Sequence, residues 1–330
     1  MKYLQSFFLF ALMAITLSSC FTDTEPVNPP IPPIEELNIP LVNRDSIYSF
    51  VEKQVAFGPR VPGTKAHKEC AAWLKSKLEG YGAEVTMQEF KAKFYTGKTV
   101  DAVNIIGSIN PKAKKRIMLS AHWDARFIAD QDTERKTEAI LGADDGGSGV
   151  AVLLEIARII QANPIEMGVD IFFWDAEDQG KDGDGNEDVS ATWCLGSQHW
   201  ARNQHKPNYA AMYGILLDMV GSKDATFPKE DISMQVAPTL VNKIWKEAKS
   251  LGYDKYFQDR KIGGITDDHY FINLIAKIPT IDIINSPEGQ SFGDYWHTHD
   301  DDMDVISRYT LGAVGNTVTS VVYKENKGKF

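Results

Sequence analysis

The chain has 330 residues and a net charge of −10, with 35 Lys and Arg against 45 Asp and Glu. Its apolar fraction of 43% is that of an ordinary globular protein, and 7 Trp with 16 Phe support a sizeable core. The longest basic run, KAKKR at 112–116, reads as a solvated turn before a strand, so no basic face is available to neutralise phosphates and nucleic acid is ruled out as a partner.

The first twenty residues form a targeting segment: Lys2 supplies a positive start, FFLFALMAITL a short apolar core, and Leu17-Ser18-Ser19-Cys20 closes it. The apolar run is too short for a stable membrane span. L-S-S-C resembles the bacterial lipoprotein cleavage site. That implies a signal peptide over 1–19, lipid on Cys20 and a bacterial cell-envelope location, anchored to the membrane and facing the periplasm or exported. An ordinary secretory signal is the alternative. Residues 20–40, rich in Pro and acids (TEPVNPPIPPIEE), read as an extended tether, leaving one domain over 41–330. Cys70 and Cys194 remain; an oxidising envelope permits a disulfide, but spacing does not decide whether they pair. Cys70 fits an apolar helical stripe and reads as a buried free thiol.

Residues 64–79 place Cys70, Trp73, Leu74 and Leu78 on one helical face, ending at Gly80. Strands are expected at 83–91, 100–109 and 116–121, with turns at TGK and NPK. Gly146-Gly147-Ser148-Gly149 opens a helix, SGVAVLLEIARII, apolar nearly all round and therefore buried. VDIFFW (169–174) and YGILLDM (213–219) read as central strands, 238–250 as a helix and IPTIDII (278–284) as a further strand. A last helix, 306–323, turns Ile306, Tyr309, Val314, Val318 and Val321 inward. Such alternation predicts a single α/β domain: a central twisted, mixed and mostly parallel sheet flanked by helices.

Five potential metal ligands follow apolar strands or open Gly-rich turns: His122, Asp145, Asp178, Asp218 and His297. In open α/β sheets, binding residues gather beyond the carboxyl ends of the strands. Two His and three Asp suit a borderline cation such as zinc. Taken singly, each has a plain structural role. His122 ends a strand, with Asp124 placed to orient its ring. Asp145 precedes a helix, although the Asp144-Asp145 pair leaves one residue to cap and one to bind. Acids following VDIFFW and ending YGILLD would be destabilising by several kcal/mol each, roughly, if buried without compensation, and one cation compensates them together. Glu177, beside Asp178, is a natural general base.

The order HWD, GADDGGSGV, DAED, LLDMVG, DDHYF and WHTHDD resembles the zinc-dependent exopeptidase superfamily, which contains di-zinc aminopeptidases and the glutaminyl cyclases of animal and bacterial type. The resemblance spans about residues 45–325, and FGPRVPGTKAH at 57–67 is similar to that group's N-terminal region. It implies the zinc exopeptidase-like fold. Asp267-Asp268-His269, Trp296 before His297, and Ile265 before Asp267 resemble cyclases; aminopeptidases usually carry Ser at the first position of the D-D-H motif. A helix cap is the plain role of Asp267. The cyclase resemblance implies conversion of N-terminal Gln on peptides or proteins to pyroglutamate with release of ammonia. It implies one zinc per chain on Asp145, Asp178 and His297, with Glu177, Asp218 and Asp267 catalytic. His122 is then a relic of a second metal position or a hydrogen-bonding neighbour. Asp178 stands where animal cyclases have Glu, and Ala121 replaces a cysteine of their disulfide. The alternatives are a di-zinc aminopeptidase and a non-catalytic metal-binding lipoprotein, the latter disfavoured by Glu177.

Among the aromatics Trp174, Trp193, Phe292, Tyr295 and Trp296, the expected substrate-pocket residues are Phe292, Trp296 and Trp193, together with Ile265. The insertion KDGDGNEDVS alternates Asp182, Asp184, Asn186 and Asp188 like a calcium loop, but lacks the EF-hand Gly and distal Glu, so a solvated acidic loop competes with a calcium site. His299 matches no expected ligand and is predicted exposed. The chain is expected to act as a monomer.

Overall fold

The computed structural model describes residues 37–183 and 188–330; the signal segment, Cys20 and most of the proposed tether lie outside the described residues, as do Asp184 and Asn186. Helices α1 (Arg44–Val55) and α2 (Lys65–Gly80) lead into strands β1 (Glu84–Lys93), β2 (Thr99–Ile109) and β3 (Arg116–His122), then α3 (Gly147–Ala162) and β4 (Gly168–Trp174). The second half contributes α4 (Leu195–Arg202), β5 (Gly214–Asp218), β6 (Phe227–Glu230), α5 (Asp231–Val236), α6 (Pro238–Ser250), β7 (Phe257–Ile262), α7 (Asp268–Phe271), β8 (Thr280–Ile284) and α8 (Arg308–Asn326).

Six strands form one sheet in the order β1-β2-β4-β3-β5-β8. β4, β3, β5 and β8 run parallel, while β1 and β2 pair antiparallel with each other and β2 pairs antiparallel with β4. This is the expected mixed, mostly parallel sheet. Every residue of β3, β4, β5 and β8 is buried, which is why these strands read as unbroken apolar runs rather than alternating ones. A separate parallel pair, β6 with β7, and helices α1 and α4 were not anticipated. Helix α1 does carry a helical stripe, Ile47, Phe50, Val51 and Gln54 behind an Asn43 N-cap, and was overlooked; α4, β6 and β7 are short and mix polar with apolar residues.

Register brings the site together. Ser120 pairs with Leu216 across β3 and β5, so His122 and Asp218, each two residues further on, finish side by side. His122 pairs with Trp174 of β4, so the 175–178 loop leaves the sheet at the same level. Two glycines let α3 begin against this edge. Gly146 has φ +86, and a Cβ there would lie 2.5 Å from Asp124 O and 2.9 Å from the His122 ring. A Cβ on Gly149 would lie 2.3 Å from Leu217 O.

Three expectations need correction here. Tyr309 is 68% exposed, its ring centre 5.2 Å from the Arg44 guanidinium, because α8 begins at Arg308 and its inward stripe runs through Leu311, Val314, Val318 and Val321. Ile306 is buried but precedes the helix, bridging to Ser222. Arg116, read as part of a solvated basic turn, is buried against Asp170, with Nε donating at 2.5 Å and Nη2 at 2.9 Å. Tyr209 Oη donates to the same carboxylate at 2.8 Å. Removing one member of a buried pair strands the other in a poorly solvating interior. Asp170→Ala should therefore lower unfolding free energy by about 3 kcal/mol, read by urea titration, and leave the distant acidic cluster intact.

Among the described residues no helix is long and apolar enough to cross a membrane. Cys70 and Cys194 are both free and buried.

Candidate active site

The ends of β3, β4 and β5 and the loop before α8 bring His122, Asp145, Asp178, Asp218 and His297 into one buried cluster, with Glu177 and Asp267 beside it. His122 Nε2 lies 2.9 Å from Asp145 Oδ1 and 3.2 Å from Asp218 Oδ1. His297 Nε2 lies 3.0 Å from Asp178 Oδ1 and 3.8 Å from Asp145 Oδ2. Asp145 thus turns one oxygen to each histidine.

Two ligand atoms bonded to one zinc at about 2.1 Å each cannot be more than about 4.2 Å apart. The separations from His297 to Asp145 and Asp178 meet that limit, as do those from His122 to Asp145 and Asp218. Asp178 Oδ2 is buried without a hydrogen-bond partner, which a cation would remedy. The residues therefore fit a metal ion, and His122, Asp145 and Asp218 form a second candidate group.

Electrostatics agree with this crowding. Burial pushes the Asp218 carboxyl up to about 8; the His122 hydrogen bond opposes this and the Asp267 charge reinforces it. Burial likewise raises Glu177 well above the ordinary range, opposed by His122 and reinforced by Asp267 and Asp178. Burial disfavours charge on His297, yet Asp178 and Asp130 together hold it at about 9.

Asp267 occupies the N-cap position of α7, and its Oδ1 accepts the Asp268 N–H at 2.5 Å, so its plain capping role is present. Its Oδ2 has no donor, and it approaches Glu177 on one side and Asp282 on another. Asp282 is fully buried, with Oδ2 3.9 Å from His269 Nδ1 and Asp267 beside it. Neighbouring carboxyls in such a place share protons.

A cavity of about 340 Å³ opens onto these groups, and Ile265, Phe292, Trp296 and Trp193 all line it. Trp296 stacks on the His297 imidazole at 3.6 Å between ring centres, and Trp193 lies parallel to its plane at 5.9 Å. Phe292 packs on Trp296 at 4.6 Å. Trp174 instead belongs to the core with Phe172 and Trp200, and the Tyr295 hydroxyl donates to Asp144.

Some residues behave differently from expectation. Asp144 does not cap α3 with its side chain: Gly146 holds the N-cap, and the Asp144 carboxylate accepts from Gly221 N–H and the Tyr295 hydroxyl. Asp124 stands 3.5 Å from His122 Nδ1, but its hydrogen bonds come from Glu177 N, Asp178 N and Gln179 Nε2, so it chiefly fastens the acidic loop. His299 is half-buried, with Nδ1 2.7 Å from Asp132. In the insertion, Asp182 accepts from Gln131 at 2.9 Å and Asp188 from Ser190 N at 3.0 Å.

Two supports were missed altogether. Arg126, fully buried, grips both oxygens of Asp130 at 2.8 and 2.5 Å and donates to Asp178 O at 3.1 Å. Its guanidinium lies 4.8 Å from the Trp193 ring centre. Asp130 in turn stands 3.2 Å from His297 Nδ1. Asp301 accepts from Asp144 N at 2.7 Å and Asp145 N at 3.1 Å, holding the turn that presents Asp145. The i,i+4 spacing of Arg126 and Asp130 just after HWD was the available signal. Backbone strain was not legible: Ala176, Cys194, Met219 and His297, all at this site, have φ between +48 and +56. Left-handed non-Gly residues are destabilising by about 1–3 kcal/mol each and persist where surrounding structure holds them.

The model of peptidase family M28 matches residues 104–322. The chain belongs to peptidase family M28. Among its relatives, aminopeptidase YwaD of Bacillus subtilis is 26% identical over 86% of this chain, and the bovine glutaminyl-peptide cyclotransferase 25% identical over 63%. The chain spans 58% and 62% of those two proteins' lengths. The solved structure of Bacteroides thetaiotaomicron glutaminyl cyclase bound to N-acetylhistamine is 49% identical, with a TM-score of 0.84 over 87% of this chain and 99% of that one. This M28 chain is accordingly a member of the glutaminyl-cyclase group.

Proposed function

We propose that this chain converts the N-terminal Gln of peptides and proteins to pyroglutamate with release of ammonia. The observation that carries the reading is Asp267, a carboxyl placed against Glu177 beside an aromatic-walled cavity sized for a short side chain. Zinc is the proposed ion, and Asp145, Asp178 and His297 would hold it. Bound there, zinc would supply Lewis acidity toward the substrate's γ-carboxamide carbonyl.

The protein's own groups do the rest. Ile265, Phe292, Trp296 and Trp193 enclose the Gln side chain and exclude water. Asp218 and Asp267 orient the α-amine, whose nitrogen forms the new C–N bond to the side-chain carbonyl carbon. Glu177 takes a proton from that amine and returns it to the departing amide nitrogen, so the old C–N bond breaks with loss of ammonia.

A second reading, a di-zinc aminopeptidase, is favoured by the complete His122–Asp145–Asp218 set. An amine held on a second metal has no lone pair left to attack, so the two readings differ in metal count. The purified enzyme should contain one zinc per chain and release ammonia, not free amino acids, from a Gln-initiated peptide. Two essential metals together with liberated N-terminal residues would establish the aminopeptidase instead. For the Asp182 insertion no calcium role is proposed. Lipid on Cys20 and an envelope location complete the proposal; mass spectrometry of the mature N-terminus checks them.

Asp130 is proposed to orient His297 from Nδ1, leaving Nε2 for the ion. Asp130→Asn should weaken zinc binding about 10–100-fold, measured by competition with a chelator, while circular dichroism stays unchanged.

A further inference from the structure

The loop carrying Glu177 is fastened by one thiol that the scheme above leaves unused. Cys194 is fully buried at the N-cap of α4, with φ +56. Its backbone N–H donates to Glu177 O at 2.9 Å, and Leu195 N–H donates to Ala176 O at 3.1 Å. Residues 176–177 and 194–195 are thus joined backbone to backbone. The Cys194 Sγ donates to Glu177 Oε1 at 3.1 Å. Glu177 Oε2 lies on the other side, 3.9 Å from His122 Nδ1. Glu177 lines the cavity, while Cys194 stands behind it and does not.

Rotation about the last bond of a Glu side chain is broad and roughly two-fold, so an unrestrained carboxylate offers either oxygen in many orientations. A donor on one oxygen removes that freedom. The thiol hydrogen bond is the one that the described residues supply to this carboxylate. Left-handed backbone at both Ala176 and Cys194 brings the two side chains to that meeting point. A left-handed non-Gly residue at the start of a helix is a strained choice, and here it aims the thiol at the carboxylate.

We propose that Cys194 is a positioning residue for Glu177: its thiol holds Oε1 and leaves Oε2 presented to the substrate amine. This rests on the cyclisation reading. Steady-state ammonia release from a Gln-initiated peptide would be measured for the wild type, Cys194→Ala and Cys194→Ser, and for both substitutions in a Glu177→Gln background. Zinc content and melting temperature would be recorded alongside.

Cys194→Ala should lower kcat roughly tenfold or more, the scale of a lost hydrogen bond to a charged group, with KM within about twofold and zinc unchanged. Ser restores a donor and should recover most of the loss. With Gln at 177, Ala and Ser should turn over equally, because the basicity that positioning serves is gone. Cys194→Gly, suited to the left-handed backbone and equally without a donor, carries the same expectation if Ala does not fold. Full kcat in Cys194→Ala, equal loss in Ala and Ser, or the same loss in both backgrounds would overturn the assignment. A wild-type enzyme that releases no ammonia from the peptide would strike the cyclisation reading itself, an outcome visible before any variant is made.

Discussion

Glu177→Gln should reduce ammonia release from Gln-initiated peptides by at least ~100-fold, the usual scale for a positioned general base, while the protein folds and binds zinc as before. The substitution keeps the side chain's size. It also keeps an oxygen to accept from the Cys194 thiol. What it removes is basicity at the atom that faces the cavity. Glu177 is not among the proposed ligands, so zinc affinity should change little. Its backbone N–H is held by Asp124 at 3.1 Å, independently of the side chain, so the loop should keep its path. Turnover is read by coupled ammonia assay and metal by elemental analysis on the same sample. Near-normal turnover with zinc bound would remove Glu177 from the mechanism.

Asp267→Asn and Asp267→Ser should each lower cyclisation by about tenfold or more while zinc stays bound. Asp267 lies in a carboxyl cluster with Glu177, Asp218 and Asp282, where burial and mutual repulsion favour shared protons. Asn preserves the shape and can still occupy the N-cap, but it cannot exchange the acidic proton. Ser installs the residue expected of an aminopeptidase and shortens the side chain away from Glu177. The pair separates two roles of one residue, since a cap retained with loss of turnover points to chemistry. If both variants keep full cyclisation and lose only melting temperature, Asp267 is a helix cap, and the main residue-level argument against an aminopeptidase falls.

The site was readable because its parts lie at strand ends. Hydrophobic strands buried on every residue stand out as apolar runs, and a polar residue that closes such a run needs a reason. His122, Asp178 and Asp218 were all found that way, and Asp145 by the Gly-rich turn that Gly146 makes sterically necessary. Helix α3 and the parallel strands were equally plain, since their apolar period follows directly from burial.

What the chain alone left open depends on contacts between residues far apart in sequence. Tyr309 and Arg116 were misplaced because composition does not give the phase of a helix start or the presence of Asp170 across the sheet. The spacing of Arg126 and Asp130 hinted at an ion pair, but their joint grip on Asp178 and His297 exists only after folding. Spacing left open whether Cys194 pairs with Cys70, and only the fold brings its thiol 3.1 Å from Glu177. The kinds of candidate ligand and their order were therefore written in local pattern, where solvation makes each residue declare its environment. Orientation, proton sharing and the strained backbone that aims these groups came from packing, because they are properties of pairs that the linear chain keeps apart.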